Sequence, residues 1–135
     1  MLSPRRRILC AESHDDIRSM INLLLEQQGY EVQSAKTVAE CVKLAEQETF
    51  DLHLLGDRYT DGTGLDLCHH LQRLWPRTPI MFFSAAAYEW NREAGIRAGA
   101  QAYILKPADM DELAATVSRL LFHQKGRAAP EDLSH

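Results

Sequence analysis

Short apolar runs alternate with longer amphipathic segments along this chain, and that alternation restricts the fold more than any other feature. Arg7 to Ala11 reads as a strand. From Asp15 to Gln28, Ile17, Met20, Ile21, Leu24 and Leu25 recur at the spacing of one helical face, and Gly29 closes that helix. Tyr30 to Ser34 is a second, weaker strand. Thr37 and Glu40 then form a capping-box pair, opening a helix with Val38, Cys41, Val42 and Ala45 inward. Phe50 to Leu55 is the third apolar run, and the loop from Gly56 to Thr63 after it is rich in Gly, Asp and Thr. A helix follows from about Gly64 to Leu74, with Leu67, Cys68 and Leu71 inward, and Pro76 stops it. Pro79 to Phe83 is the fourth strand, Tyr88 to Ala98 a helix ended by Gly99, and Ala102 to Leu105 the fifth strand. Asp109 caps a last helix through Phe122, with Leu113, Val117, Leu120 and Leu121 on one stripe. The tail, residues 124–135, has little apolar content and reads as disordered.

Strands that alternate with helices in this way make a parallel sheet with right-handed crossovers and helices on both faces. In such an open sheet the functional site lies beyond the carboxyl ends of the strands. Those ends are Glu12-Ser13, Gly56-Asp57, Ser84 and Lys106-Pro107. The 135 residues are one domain's worth, and the 45% hydrophobic content is enough for a buried core. Fifteen Lys and Arg against 19 Asp and Glu leave a net charge of −4. A dedicated nucleic-acid-binding domain would carry a net-basic surface instead. Residues 1–6 read as an N-terminal arm, and the basic cluster Arg5-Arg6-Arg7 at its end as solvated. Behind it there is no apolar signal core, and no run approaches the ~20 apolar residues needed to cross a bilayer. Cys10, Cys41 and Cys68 sit in separate segments without a CxxC pair, as buried free thiols in a reducing compartment would. The expectation is a cytoplasmic protein.

A carboxylate, a hydroxyl and an ammonium at one sheet edge form a chemically specific set. The stretches ILCAESHDDIRSMINLLLEQQGYEV, FDLHLLGDRYTDGTGLDL, PIMFFSA and AGAQAYILKP, in that order and spacing, resemble the response-regulator receiver domain over residues 7–123. The resemblance implies a flavodoxin-like, doubly wound five-stranded sheet of strand order 2-1-3-4-5. In that family an acidic pair after the first strand and an aspartate ending the third hold a divalent cation. The aspartate accepts a phosphoryl group from a sensor histidine kinase, and a Ser or Thr and a Lys contact the phosphoryl oxygens. Carried across, Ser84 and Lys106 match, and Glu12 keeps one acid of the pair while Ser13 replaces the other. The family's glycine eight residues past the acceptor corresponds to Gly64, which puts the acceptor position at Gly56. Tyr103 matches the switch aromatic that moves inward with the hydroxyl residue, although a packing tyrosine reads equally well. Lys106-Pro107 matches a Lys-Pro pair for which a cis peptide is expected.

Glycine has no side-chain oxygen, so Gly56 cannot be the nucleophile of a phosphoryl transfer. An intact pocket sets three carboxylates against one ammonium, whereas Glu12 and Lys106 sum to zero. At ~4 kcal/mol per close pair, losing two carboxylates removes most of the affinity for a metal. Glu12 remains as the only metal-ligand candidate, and no cofactor is expected. Two readings follow. In the first the chain is a degenerate receiver, independent of phosphorylation. It acts through protein contacts on the face formed by the fourth helix, fifth strand and fifth helix, with a histidine kinase or another signalling protein, or a second copy, as partner. In the second, Asp57 substitutes as acceptor, with Mg2+, and the domain hydrolyses its own phosphoryl group. A one-residue step moves a side chain ~3.3 Å and reverses its face, and ~1 Å of misplacement can cost on the order of a hundredfold in rate. A kink at Gly56 would be needed to restore it. An electron carrier of the same architecture needs a phosphate cradle after the first strand, where Glu12, Asp15 and Asp16 place three acids instead.

Other polar residues have plainer readings. Asp61 suits a turn. His53 reads as a core histidine bonded to a backbone or side-chain acceptor, and His14 as a residue of the pocket rim. His69 and His70, being adjacent on a helix, diverge and make no metal pair. Trp75 and Trp90 read as packing or surface residues.

Overall fold

The computed structural model describes residues 5–84, 89–105 and 110–128. The long strands are β1 (Arg7–Ala11), β2 (Glu31–Ala35), β3 (Leu52–Leu55), β6 (Ile80–Ser84) and β7 (Ala102–Leu105), with a two-residue pair, β4 (Arg58–Tyr59) and β5 (Gly62–Thr63), between them. The helices are α1 (Asp15–Gln27), α2 (Val38–Gln47), α3 (Gly64–Leu74), α4 (Glu89–Arg97) and α5 (Met110–Ala128). The five long strands form one parallel sheet in the order β2-β1-β3-β6-β7. Counting long strands alone, this is the expected 2-1-3-4-5.

Alternation along the central strands divides the core in two. Leu9, Ala11 and Leu55 join Cys41, Ala45, Leu67, Cys68 and Leu71 from α2 and α3. Ile8, Cys10, Leu52 and Leu54 turn to the other face, against Ile21 and Leu25 of α1 and Leu113, Val117 and Leu121 of α5. All four residues of β3 are buried, because a central parallel strand is covered on both sides. Gly29 (φ +96°) closes α1 and Gly99 (φ +115°) follows the last turn of α4, both in the left-handed region.

Half of the capping box of α2 forms: Thr37 Oγ1 accepts the Glu40 amide at 3.1 Å, while Glu40 Oε1 reaches one residue past the cap and accepts the Lys36 amide at 2.8 Å. Two features depart from the sequence reading. Helix α5 continues to Ala128, past Phe122 and into the segment assigned to the tail; Gln124, Lys125, Arg127 and Ala128 favour helix and extend an existing one across Gly126. The loop after β3 also folds back on itself, as Arg58 pairs with Thr63 and Tyr59 with Gly62 in an antiparallel ribbon. Thr60 and Asp61 are its two turn residues, and Asp61 is the turn-forming type among them. Residues 129–135 of the tail lie outside the described residues.

Candidate functional site

At the carboxyl end of the sheet, Glu12 leaves β1 and Gly56 leaves β3 side by side. The Gly56 amide donates to Ala11 O at 2.9 Å and the Glu12 amide to Ala35 O at 2.9 Å, so both continue the ladder one step beyond the strands. Glu12 is 2% exposed. Its Oε2 accepts the His14 amide at 2.9 Å and lies 2.8 Å from His14 Nδ1. His14 is thus on the rim, as expected, with its ring largely exposed. The Glu12 carbonyl in turn accepts Arg18 Nη1 at 2.9 Å.

A Cβ built on Gly56 would stand 3.0 Å from Glu12 Oε1 and 3.6 Å from Ala11 O. Position 56 therefore faces the Glu12 carboxylate, and the side chain that would fill that space is missing. Gly64 accounts for the close packing here. A Cβ there would fall 2.2 Å from Gly56 O and 2.8 Å from Phe82, so only glycine lets α3 begin this close to the end of β3.

Tyr59, which the sequence reading passed over, organises the floor of this crevice. Its ring is buried. Its hydroxyl accepts the Gly56 amide at 2.8 Å, donates to Ala11 O at 2.7 Å and lies 3.3 Å from Gly56 O. Burial pushes the phenol pKa up, against the smaller lowering effect of the Gly56 backbone, so the hydroxyl keeps its proton. The signal available beforehand was a large aromatic amid Gly, Asp and Thr.

The backbone beyond Gly56 is also tied. Asp57 O accepts the Gly64 amide at 2.9 Å, and Arg58 O accepts Ser13 Oγ at 2.9 Å. Ser13 thus spends its hydroxyl across the crevice mouth. Asp57 is half-buried, one step along from the position that faces Glu12. Asp61 does lie in a turn, but its role is larger: Oδ1 accepts the Val38 amide at 2.8 Å and Oδ2 the Ala39 amide at 3.0 Å, capping α2 from another element. These backbone donors, Ala39 foremost, hold its pKa below the usual carboxylate value.

Ser84 ends β6, paired with Leu105; its side chain, Lys106 and the Lys106-Pro107 bond lie outside the described residues. Tyr103 is half-buried, its ring 5.4 Å from that of Phe82 and tilted by 34°. Trp75 packs as expected, with Nε1 donating to Ala45 O at 2.8 Å, while the Trp90 side chain is not among the described ones. The reading of His53 needs correction. It is buried, but neither ring nitrogen has a hydrogen-bond partner among the described residues. It meets the Phe50 ring edge-on at 6.2 Å. Apolar walls offer no acceptor, and burial lowers its pKa to about 4, so it stays neutral.

The donors of this crevice do not fit a hard divalent cation, which wants about six oxygens. Glu12 Oε2 already meets the His14 amide and ring, Ser13 is turned to Arg58, and position 56 brings no side-chain oxygen. Among the described residues no group of three His, Cys, Asp or Glu could hold a metal ion, His69 and His70 included. No helix among them is long and apolar enough to cross a membrane. Cys10, Cys41 and Cys68 are buried free thiols.

Comparison with known proteins places this geometry. The chain is 33% identical over 131 residues to the response regulator protein PilR of Pseudomonas aeruginosa, covering 95% of this chain and 29% of that protein. It is 31% identical over 118 residues to the phosphate regulon transcriptional regulatory protein PhoB of Escherichia coli, covering 86% and 52%. It therefore spans between about a third and about half of these relatives. Among solved structures, a CheY-like response regulator receiver domain protein from Methanospirillum hungatei superposes with a TM-score of 0.88 at 29% identity, covering 92% of this chain and 99% of that one. The receiver domain of HemR from Leptospira biflexa gives 0.82 at 32% identity, covering 87% and 94%. The model of the response regulator receiver domain matches residues 8–118, and the chain belongs to that family.

Proposed function

We propose that this receiver domain signals without aspartyl phosphorylation, through protein contacts made by its folded surface. The observation that carries the reading is the Gly56–Glu12 juxtaposition: the position aimed at the crevice carboxylate has no side-chain oxygen. Phosphoryl transfer needs an in-line nucleophile and a cation to neutralise the transferred group. Here both the nucleophile and most metal-ligating carboxylates are absent from their positions. Substitution by Asp57 is disfavoured because the carbonyls of Gly56, Asp57 and Arg58 all lie within reach of donors that hold the backbone course. Rotating Asp57 inward would break these contacts. Ser84 and Lys106, with Glu12, are then retained pocket residues without a phosphoryl group to bind, and Tyr103 is a packing residue on the α4–β7–α5 side rather than a driven switch.

The partner class is a sensor histidine kinase or another signalling protein, in the cytoplasm, with a second copy of the chain as a further candidate. Direct nucleic-acid contact by this domain is disfavoured by its charge of −4. Incubation with acetyl phosphate and Mg2+, followed by intact-mass measurement and peptide mapping, tests the proposal. The expected result is no phosphoryl adduct. A stoichiometric, base-labile adduct on Asp57, abolished by Asp57→Asn, would establish the other reading: an acceptor that takes and hydrolyses its own phosphoryl group.

A further inference from the structure

The β4–β5 ribbon touches two parts of the molecule that otherwise meet only where Ala11 and Glu12 pair with Ala35, just ahead of α2. At its first strand, the Tyr59 hydroxyl bonds Gly56 N and Ala11 O on the crevice floor. At its turn, both Asp61 carboxylate oxygens hold the first amides of α2, those of Val38 and Ala39. Tyr59 and Gly62 are direct partners across the ribbon, and a Cβ on Gly62 would stand only 3.1 Å from Val38 Cγ2, so the ribbon rests on the start of α2. A ribbon of two-residue strands has no stability of its own. Its shape depends on being held at both ends.

We propose that the ribbon is a clasp coupling the crevice floor to the N-terminus of α2. Each anchor supplies order that the other would otherwise have to create, so release of one weakens the other, and the coupling is reciprocal. A partner that draws Asp61 away from α2 loosens Gly56. Dislodging the Tyr59 hydroxyl frays the first turn of α2, whose Ala39 and Glu40 are exposed to partners. The inference concerns the loop alone and stands whichever way the phosphorylation test falls.

Native-state amide exchange by NMR on the whole chain tests it, with Asp61→Ala, Tyr59→Phe and the double variant. Asp61 is exposed and Tyr59→Phe keeps the ring, so both variants retain the core. The Leu54 amide of β3 serves as the internal reference for global unfolding. Relative to Leu54, Asp61→Ala is expected to speed exchange at Val38 and Ala39 on the order of tenfold and also at Gly56. Tyr59→Phe is expected to speed Gly56 and also Val38 and Ala39, and the double variant to fall short of the product of the two. The proposal is overturned if each substitution acts only on its own bonded amides, with multiplicative effects in the double variant. It is equally overturned if Leu54 accelerates in step with the rest, since the effect is then global rather than a property of the clasp.

Discussion

Placing a carboxylate at position 56 probes the electrostatics of the crevice directly. In Gly56→Asp the new Cβ stands 3.0 Å from Glu12 Oε1, a contact the glutamate tip relieves by moving a few tenths of an ångström. The larger effect is charge. Two carboxylates ~4 Å apart repel by ~4 kcal/mol at an effective dielectric constant near 20. Half-exposed Asp57 marks the solvated side of the crevice, so about half of that, ~2 kcal/mol, is the expected loss of stability at pH 7. For a domain of this size that lowers Tm by about 8 °C. The sign with pH follows from linkage. Repulsion raises the folded-state pKa of one carboxyl above its unfolded value, so the penalty is absent below the unfolded pKa near ~4 and complete once pH exceeds the raised value. Adding Ser13→Asp supplies the second carboxylate of an acidic pair and frees the Arg58 carbonyl. Mg2+ at tenfold its Kd should then stabilise the double variant by about 1.4 kcal/mol, while leaving the parent chain unchanged. Thermal melts over pH, with and without Mg2+, read all of this. An equal Mg2+-dependent rise in the parent would refute the reasoning, because its own donors would then suffice for the cation.

Other outcomes follow from single residues. Burial lowers the His53 pKa to about 4 from the ordinary histidine value of 6.5, so the unfolded chain takes up a proton that the native state refuses as pH falls. Stability should drop by about 3 kcal/mol between pH 6.5 and 4; His53→Leu should flatten this slope in urea titrations and gain about 1 kcal/mol or more at pH 7 by removing two unbonded buried nitrogens. Gly99→Ala sets a Cβ 2.5 Å from Gln72 Oε1 at φ +115°, and should cost about 1–2 kcal/mol in the same measurement. Burial raises the thiol pKa of Cys41 to about 12 and of Cys68 to about 11, so an aromatic disulfide reagent should modify them at the rate of unfolding. Fast labelling in the native state would contradict their burial.

The alternation of apolar runs and amphipathic helices was sufficient, from the sequence, for the parallel sheet and its crossovers. It also brought Glu12, Gly56 and Ser84 to the same sheet end, because strand ends in such a fold converge whatever the loops do. The eight-residue step from Gly56 to Gly64 was legible for a reason the structure then supplied: only a residue without a side chain fits against Gly56 O. What local pattern could not show were contacts between residues distant along the chain. Asp61 looked like a turn residue because its bonds to Val38 and Ala39 reach across 23 and 22 positions. Tyr59 looked like a loop aromatic because its partner Ala11 lies 48 residues away. His53 was given an acceptor because a polar side chain usually finds one, and only the packed apolar surroundings decided that it does not. Periodicity reports which face of an element is buried, so the sequence alone determined the layers of this protein; tertiary structure decided which donor meets which acceptor, because hydrogen bonds depend on ångström-scale positions that arise only when those layers pack.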